Sequence, residues 1–282
     1  MFAKRDDGLG WVFVPFLVPA AVLAALLTGK GWTAGWGALP VFLLWWAGLF
    51  LALLLVFYLM IFLYSLTIDM SAPPPPDDKP FTRFIVVWVI GQICRYGRVR
   101  IHVSGLEKLP RERFLIVSNH LSAFDPIVTV WALRKTPTAI ITKPENLRIP
   151  MVGPMIYRAN FLPIDREDPR EAMKTIQTAA ALLKNDVVSV GVYPEGTRNR
   201  SPEDGLLPFH NGVFKIAQKA EAPLAAAVIR GTENIGKNLP WKHTDVYLEI
   251  SEVIPAEELD RSTAVISARV REILSPAPAA ER

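Results

Sequence analysis

Two long uncharged runs open the chain, and short apolar runs alternating with amphipathic ones follow them. Gly8 to Gly29 contains no charged residue, and its apolar part, Trp11 to Leu27, is 17 residues, the short end of a membrane-spanning helix. Pro15 and Pro19 predict a kink inside it. Gly31 to Ile68 is a second charge-free run. Its stretch from Leu39 to Ile68 predicts a helix of about 45 Å at 1.5 Å per residue, which exceeds a hydrocarbon core of about 30 Å and requires tilt or emergence. Trp45, Trp46, Tyr58 and Tyr64 supply interfacial anchors. The link between the runs is short, so residues 1–71 are expected to form a membrane-embedded helical hairpin. Whether it crosses the bilayer or dips into one leaflet stays open at this level. A cleaved signal peptide is the alternative for the first run, but Asp6 and Asp7 spoil its basic start.

Ala72-Pro73-Pro74-Pro75-Pro76-Asp77-Asp78 is a stiff, polyproline-like boundary. Phe81 to Tyr96 then carries Phe84, Ile85, Trp88, Val89 and Ile93 at helical spacing, with Arg83, Arg95 and Arg98 near the ends. This pattern fits an amphipathic helix lying on a bilayer and equally a helix packed on the domain that follows. Linker and helix together make a segment 72–98. From Val99 the period changes. Val99 to Val103 alternates like an edge strand, and Phe114–Val117, Ala139–Thr142, Asn160–Ile164, Val187–Val192, Leu224–Ile229 and Val246–Ile250 are further β-like runs. Pro169–Lys184, Gly212–Ala220 and Glu257–Leu274 read as helices, and residues 276–282 as a frayed tail. The alternation predicts an α/β domain over 99–282, with a mainly parallel sheet flanked by helices.

Charge narrows the partners. Of a formal net charge of +4, residues 1–80 contribute −1 and the remainder +5. A mildly basic domain behind an apolar hairpin points to anionic lipid or a phosphorylated substrate. Nucleic acid is not expected, because no dense Lys/Arg run with interleaved aromatics occurs. The single cysteine, Cys94, excludes an intrachain disulfide and a cysteine-based zinc site, and reads as a small packing residue. Lys4 and Arg5 precede the hairpin, while Lys79, Arg83, Arg95, Arg98 and Arg100 follow it. That asymmetry puts both ends, and the domain, on the cytoplasmic face of the cell membrane.

Candidate chemistry collects where the β-like runs end. Phe114–Val117 leads to His120 and Asp125, Ala139–Thr142 to Lys143, Asn160–Ile164 to Asp165-Arg166, and Val187–Val192 to Glu195-Gly196-Thr197-Arg198. On a helix, residues five apart sit about 140° from each other, so His120 and Asp125 meet only on a loop. Asp125-Pro126 also reads as a helix start with Asp125 as its cap. In open α/β sheets ligands bind outside the carboxyl ends of the strands, so clusters at one edge are hard to attribute to capping alone. His102 and His243 have no evident sequence partners and read as surface residues.

Asn119-His120 followed by Asp125 resembles the His-x4-Asp motif of the glycerolipid acyltransferases, and Pro194-Glu195-Gly196-Thr197-Arg198 resembles their second hallmark. Phe161 to Arg166 and Val228 to Thr232 resemble two further blocks of that family, in the same order and spacing. The chain is similar to the bacterial 1-acylglycerol-3-phosphate acyltransferases in particular, although His210 stands after Phe209 where many members have Lys. The resemblance implies transfer of a fatty acyl group from acyl-carrier protein or coenzyme A to the 2-hydroxyl of lysophosphatidate at the bilayer. No bound cofactor or metal is implied, because the thioester is already activated. His120 would be the general base and Asp125 its orienter. Glu195, Gly196, Thr197 and Arg198, with Lys143 and Arg166, would form the phosphate site, Glu195 by organising the cations and backbone N–H groups near Gly196 by binding the oxyanion. For Lys143 and Arg166 a surface ion pair is the alternative. Ser122 is a rival nucleophile. A His/Asp thioesterase, another acceptor alcohol and a non-catalytic lipid-binding protein remain as rival functions.

Overall fold

The computed structural model describes residues 14–27 and 39–275. These fall into two compact units that divide between Asp69 and Met70. The first holds two helices, α1 (Val14–Leu27) and α2 (Leu39–Leu66). They pack on each other through Phe16 and Phe57, whose rings lie 5.3 Å apart, and through Trp46 Nε1, which donates to Leu17 O at 3.1 Å. Leu44, Leu55 and Leu66 remain largely exposed. A helix that is apolar all round with this much uncovered surface is suited to lipid. By length and composition α2, 28 residues, is long enough to cross a bilayer, whereas α1 is shorter than a span. Trp11, the Lys30 link, the N-terminal charges used for orientation and the tail 276–282 lie outside the described residues.

The second unit begins with the proline linker. Tyr157 Oη donates to Ala72 O and Asn160 Nδ2 to Pro75 O (3.3 Å), which ties the linker to the domain. Helix α3 (Pro80–Tyr96) starts at a proline, whose missing N–H costs nothing there, and ends at Gly97. One face of this helix is packed. Ile85, Val86, Trp88, Ile90 and Cys94 are buried, and Arg83 joins Asp78 to Thr138 O. Phe81 and Phe84 are exposed on its outer face.

Seven strands follow: β1 (Val99–Ser104), β2 (Leu115–Ser118), β3 (Thr138–Thr142), β4 (Leu162–Pro163), β5 (Ser189–Val192), β6 (Leu224–Arg230) and β7 (Thr244–Ile254). Between and after them lie α4 (Asp125–Ala132), α5 (Pro144–Leu147), α6 (Val152–Arg158), α7 (Pro169–Lys184), α8 (Lys215–Ala220), α9 (Ile235–Asn238) and α10 (Thr263–Leu274). The sheet order is β1-β7-β6-β2-β5-β3-β4, and only β6 and β7 pair antiparallel. The mainly parallel expectation therefore holds. β2 and β5 are buried on both faces and read as continuous apolar runs; β7 alternates, with Val246, Leu248 and Ile250 inward and Asp245, Tyr247 and Glu249 outward.

Local chemistry explains the departures. Asn160–Ile164 shrinks to a two-residue strand because Phe161 N closes the α6 turn on Ile156 O and Pro163 has no N–H to give. Glu257–Leu274 is broken: residues 256–259 form a single turn, and Ser262 starts α10 by accepting from Val265 N. Gly212–Ala220 likewise begins as a tighter turn, Asn211–Phe214, before α8. His102 is not partnerless: its Nε2 lies 2.8 Å from Asp245 and its ring stacks on Tyr247. That hydrogen bond holds the Asp245 carboxyl below its ordinary pKa.

Candidate active site

The loops after β2, β3, β4, β5 and β6 all leave the sheet at one edge, because these five strands run in the same direction. Asn119 starts the first loop and clamps it. Its amide donates to Ile229 O and accepts from Ile229 N, both at 2.8 Å, so a side chain continues the β2–β6 pairing one step beyond Ser118. The chain then turns back through His120 to Asp125, the first residue of α4.

Asp125 is fully buried and does not cap its helix; Phe124 holds the cap position. Instead the carboxylate reaches back into its own loop. Oδ2 accepts from His120 Nδ1 at 2.7 Å, Leu121 N at 2.6 Å and Ser122 N at 2.8 Å, and Oδ1 accepts from Thr232 Oγ1 at 2.5 Å. Four donors hold this buried carboxylate in place. An ionised carboxylate only accepts, so Nδ1 of His120 carries the proton and Nε2 keeps its lone pair. The imidazole side chain is 15% exposed, and its other face stacks on Tyr193 at 4.6 Å. Burial holds the Tyr193 phenol neutral, far above its ordinary pKa, and its hydroxyl lies 3.0 Å from Thr129. Ser122 Oγ accepts from Phe124 N at 3.3 Å and so closes the turn before α4.

Glu195 organises backbone instead of cations. Its side chain is buried, with Oε1 accepting from His120 N at 2.8 Å and Oε2 from Leu207 N at 3.0 Å. The β5 loop is thereby fastened beneath the His120 loop, and Asn199 N adds a bond to His120 O at 2.7 Å. Gly196 sits at φ +70°, where a Cβ would come within 2.6 Å of the His210 ring. Its N–H donates to Tyr193 O, so the expected oxyanion role does not fall to that group.

His120, Gly196 and Arg198 open onto a cleft of about 450 Å³, and Lys143, Arg166 and His210 line its rim. Ile141, Ile164, Ile176, Val192 and Val213 supply apolar wall. Four of the six residues expected around a phosphate are thus brought together. Glu195 lies below them, and Thr197 is exposed outside the cleft wall. Arg166 makes no ion pair among the described residues. Asp165 instead accepts from the N–H groups of Glu167 and Asp168, and Asp168 caps α7. Surrounding protein lowers the Arg166 pKa from its ordinary value, opposed by Glu145, yet leaves a cation facing the cleft. Arg230 turns away, 3.9 Å from Glu249.

Sequence reasoning assigned no role to three supports, Tyr193, Thr232 and the clamping Asn119, although Asn119 and Thr232 stand in the blocks it matched. The available signal was position. Each lies next to a strand end that already carried a flagged residue.

A family model described as "Acyltransferase" matches residues 100–230. The 1-acyl-sn-glycerol-3-phosphate acyltransferase of Haemophilus influenzae is 31% identical over 182 residues, covering 62% of this chain and 75% of that protein. That of Limnanthes douglasii is 29% identical over 159 residues, covering 56% and 50%. The chain spans about half the length of this and other plant relatives it matches. Among solved structures, the 1-acyl-sn-glycerophosphate (LPA) acyltransferase PlsC of Thermotoga maritima superposes with a TM-score of 0.55 at 24% identity, covering 78% of this chain and 86% of that one. The last likeness concerns the fold.

Proposed function

Because the chain belongs to the glycerolipid acyltransferase family, we propose that it transfers a fatty acyl group from a coenzyme A or acyl-carrier-protein thioester to the 2-hydroxyl of lysophosphatidate, giving phosphatidate. The observation that carries the reading is the His120–Asp125 pair, set at the mouth of a cleft lined by Lys143, Arg166 and Arg198. Relatives carrying this activity in their names supply the acceptor.

Asp125 fixes His120 with Nδ1 protonated, so Nε2 accepts the proton of the acceptor hydroxyl as its oxygen attacks the thioester carbonyl. The tetrahedral intermediate collapses with loss of the thiolate, and the imidazolium returns the proton to sulfur. An ester C–O bond forms, a C–S bond breaks, and His120 ends as it began. The cations of the cleft hold the acceptor phosphate, Arg198 by a planar fork of donors and Lys143 as a point charge. The apolar helix α2 keeps the chain at the membrane, where acceptor and product reside, with the α/β unit on the cytoplasmic face.

The full chain reconstituted in vesicles with a labelled acyl thioester tests this. His120→Ala is expected to lower turnover by about 10²–10⁴-fold while the protein stays folded; undiminished turnover rejects the base. Arg198→Ala is expected to raise KM for lysophosphatidate, and an unchanged KM rejects the phosphate role. Preference for glycerol 3-phosphate over lysophosphatidate in competition would reassign the acceptor.

A further inference from the structure

One feature of the second unit belongs neither to the core nor to the cleft. Trp241, in the turn between α9 and β7, is 81% exposed, the most exposed large hydrophobic side chain among the described residues. Its backbone is nonetheless held firmly. Trp241 N and Lys242 N both donate to Asn238 O, at 3.0 and 2.8 Å, and Arg98 Nη1 donates to Trp241 O at 2.8 Å. Thr244 N donates to Arg98 O, and Leu239 packs on Gly97 at the end of α3. An indole presented to solvent by a braced turn has already lost most of the backbone freedom that docking would remove.

The strand register says which way this turn faces. Thr244, at the start of β7, pairs with Val99 at the start of β1, and Arg230, at the end of β6, pairs with Tyr247. β7 is antiparallel to β6, so the segment before Thr244 emerges at the edge where β2, β5 and β6 deliver His120, Glu195 and Thr232. Trp241 therefore stands at the same edge of the sheet as the cleft. Exposed cations belong to the same turn: Arg98, bonded to the Trp241 carbonyl, and the sequence neighbours Lys237 and Lys242, with the exposed His243. The nearest acid in sequence, Asp245, is occupied by His102.

We propose that Trp241 and these cations dock the α/β unit on an anionic bilayer surface, indole at the headgroup boundary and cations against lipid phosphates. An amphipathic ring with one polar N–H favours that boundary, and each nearby Lys or Arg adds attraction to anionic lipid. The contact belongs to the α/β unit itself, separate from the apolar helices. It rests on the proposed function for its purpose, since docking this edge turns the cleft toward its lipid acceptor.

The test uses the full chain in vesicles, with Trp241→Cys labelled by a polarity-sensitive fluorophore. Cys94 does not compete, because it is buried. Lys184→Cys, labelled at the opposite sheet edge, is the control. The label at 241 is expected to shift to the blue and to be quenched by chain-brominated lipid when phosphatidylglycerol is present, less so in phosphatidylcholine alone, while the label at 184 does neither. Emission at 241 that stays water-like with phosphatidylglycerol overturns the proposal, as does equal burial at 184. A kinetic arm reads the same contact: Lys242→Glu is expected to raise KM for vesicle-embedded acceptor by about fivefold and to leave a short-chain monomeric acceptor unaffected. An equal rise for both acceptors places the effect in the cleft and overturns docking. Failure of the wild-type chain to transfer acyl groups would reject the proposed function and leave the fluorescence result to stand by itself.

Discussion

Removing the Thr232 hydroxyl isolates how far His120 depends on a residue outside its own loop. Gly231, at φ +89°, ends β6 in a left-handed turn that brings Thr232, itself fully buried, onto Asp125. Thr232→Val preserves shape and removes the one donor to Oδ1 seen among the described residues, while the three donors to Oδ2 remain. A hydrogen bond to a buried charge contributes about 1.5–3 kcal/mol, so a loss of about 2 kcal/mol is expected. For a unit of this size each kcal/mol lowers Tm by about 2–4 °C, giving a fall of about 4–8 °C by calorimetry of the reconstituted chain. The Asp125 carboxylate then rotates toward other donors and His120 loses its fixed angle. If the dyad forfeits about half of that energy at the transition state, turnover falls roughly fivefold, with little change in acceptor KM. Thr232→Ser restores the donor and should recover most of both losses. A valine variant that melts within about 1 °C of wild type and turns over normally would refute the claim that this oxygen needs a partner.

Two further outcomes are expected. Glu195→Gln keeps one acceptor and sets an NH2 group against a backbone N–H, so the His120 and Leu207 amides should exchange faster and turnover should fall; a rise in acceptor KM alone would instead assign Glu195 to the phosphate. Burial pushes the Cys94 thiol pKa up to about 12, so it should stay a neutral thiol at pH 8 and react with a disulfide reagent only after denaturation; rapid reaction of the folded chain would contradict its burial.

Elements governed by local chemistry were legible in the sequence. The apolar run from Leu39 needed only length and composition, and α7 needed only Asp168-Pro169 at its start and a 3.6-residue apolar period. The strands leading to His120, Lys143 and Glu195 were readable because buried parallel strands are short continuous apolar runs, and candidate residues followed from their ends; the run leading to Arg166 was overread, since only Leu162–Pro163 pairs. The antiparallel turn of β7 was not readable, because strand direction depends on partners distant in sequence. For the same reason Asp125 looked like a helix cap: the local pattern Asp-Pro permits one, and only the folded loop, with Thr232 arriving from 107 residues away, draws the carboxylate back onto His120. Glu195 shows the same limit. Its charge was visible, but its direction was set by which backbone amides lay unpaired within reach. Residue type and spacing thus determined which chemistry the chain carries and at which end of the sheet. Long-range pairing decided which groups touch, because a hydrogen bond extends about 3 Å and takes no account of separation along the sequence.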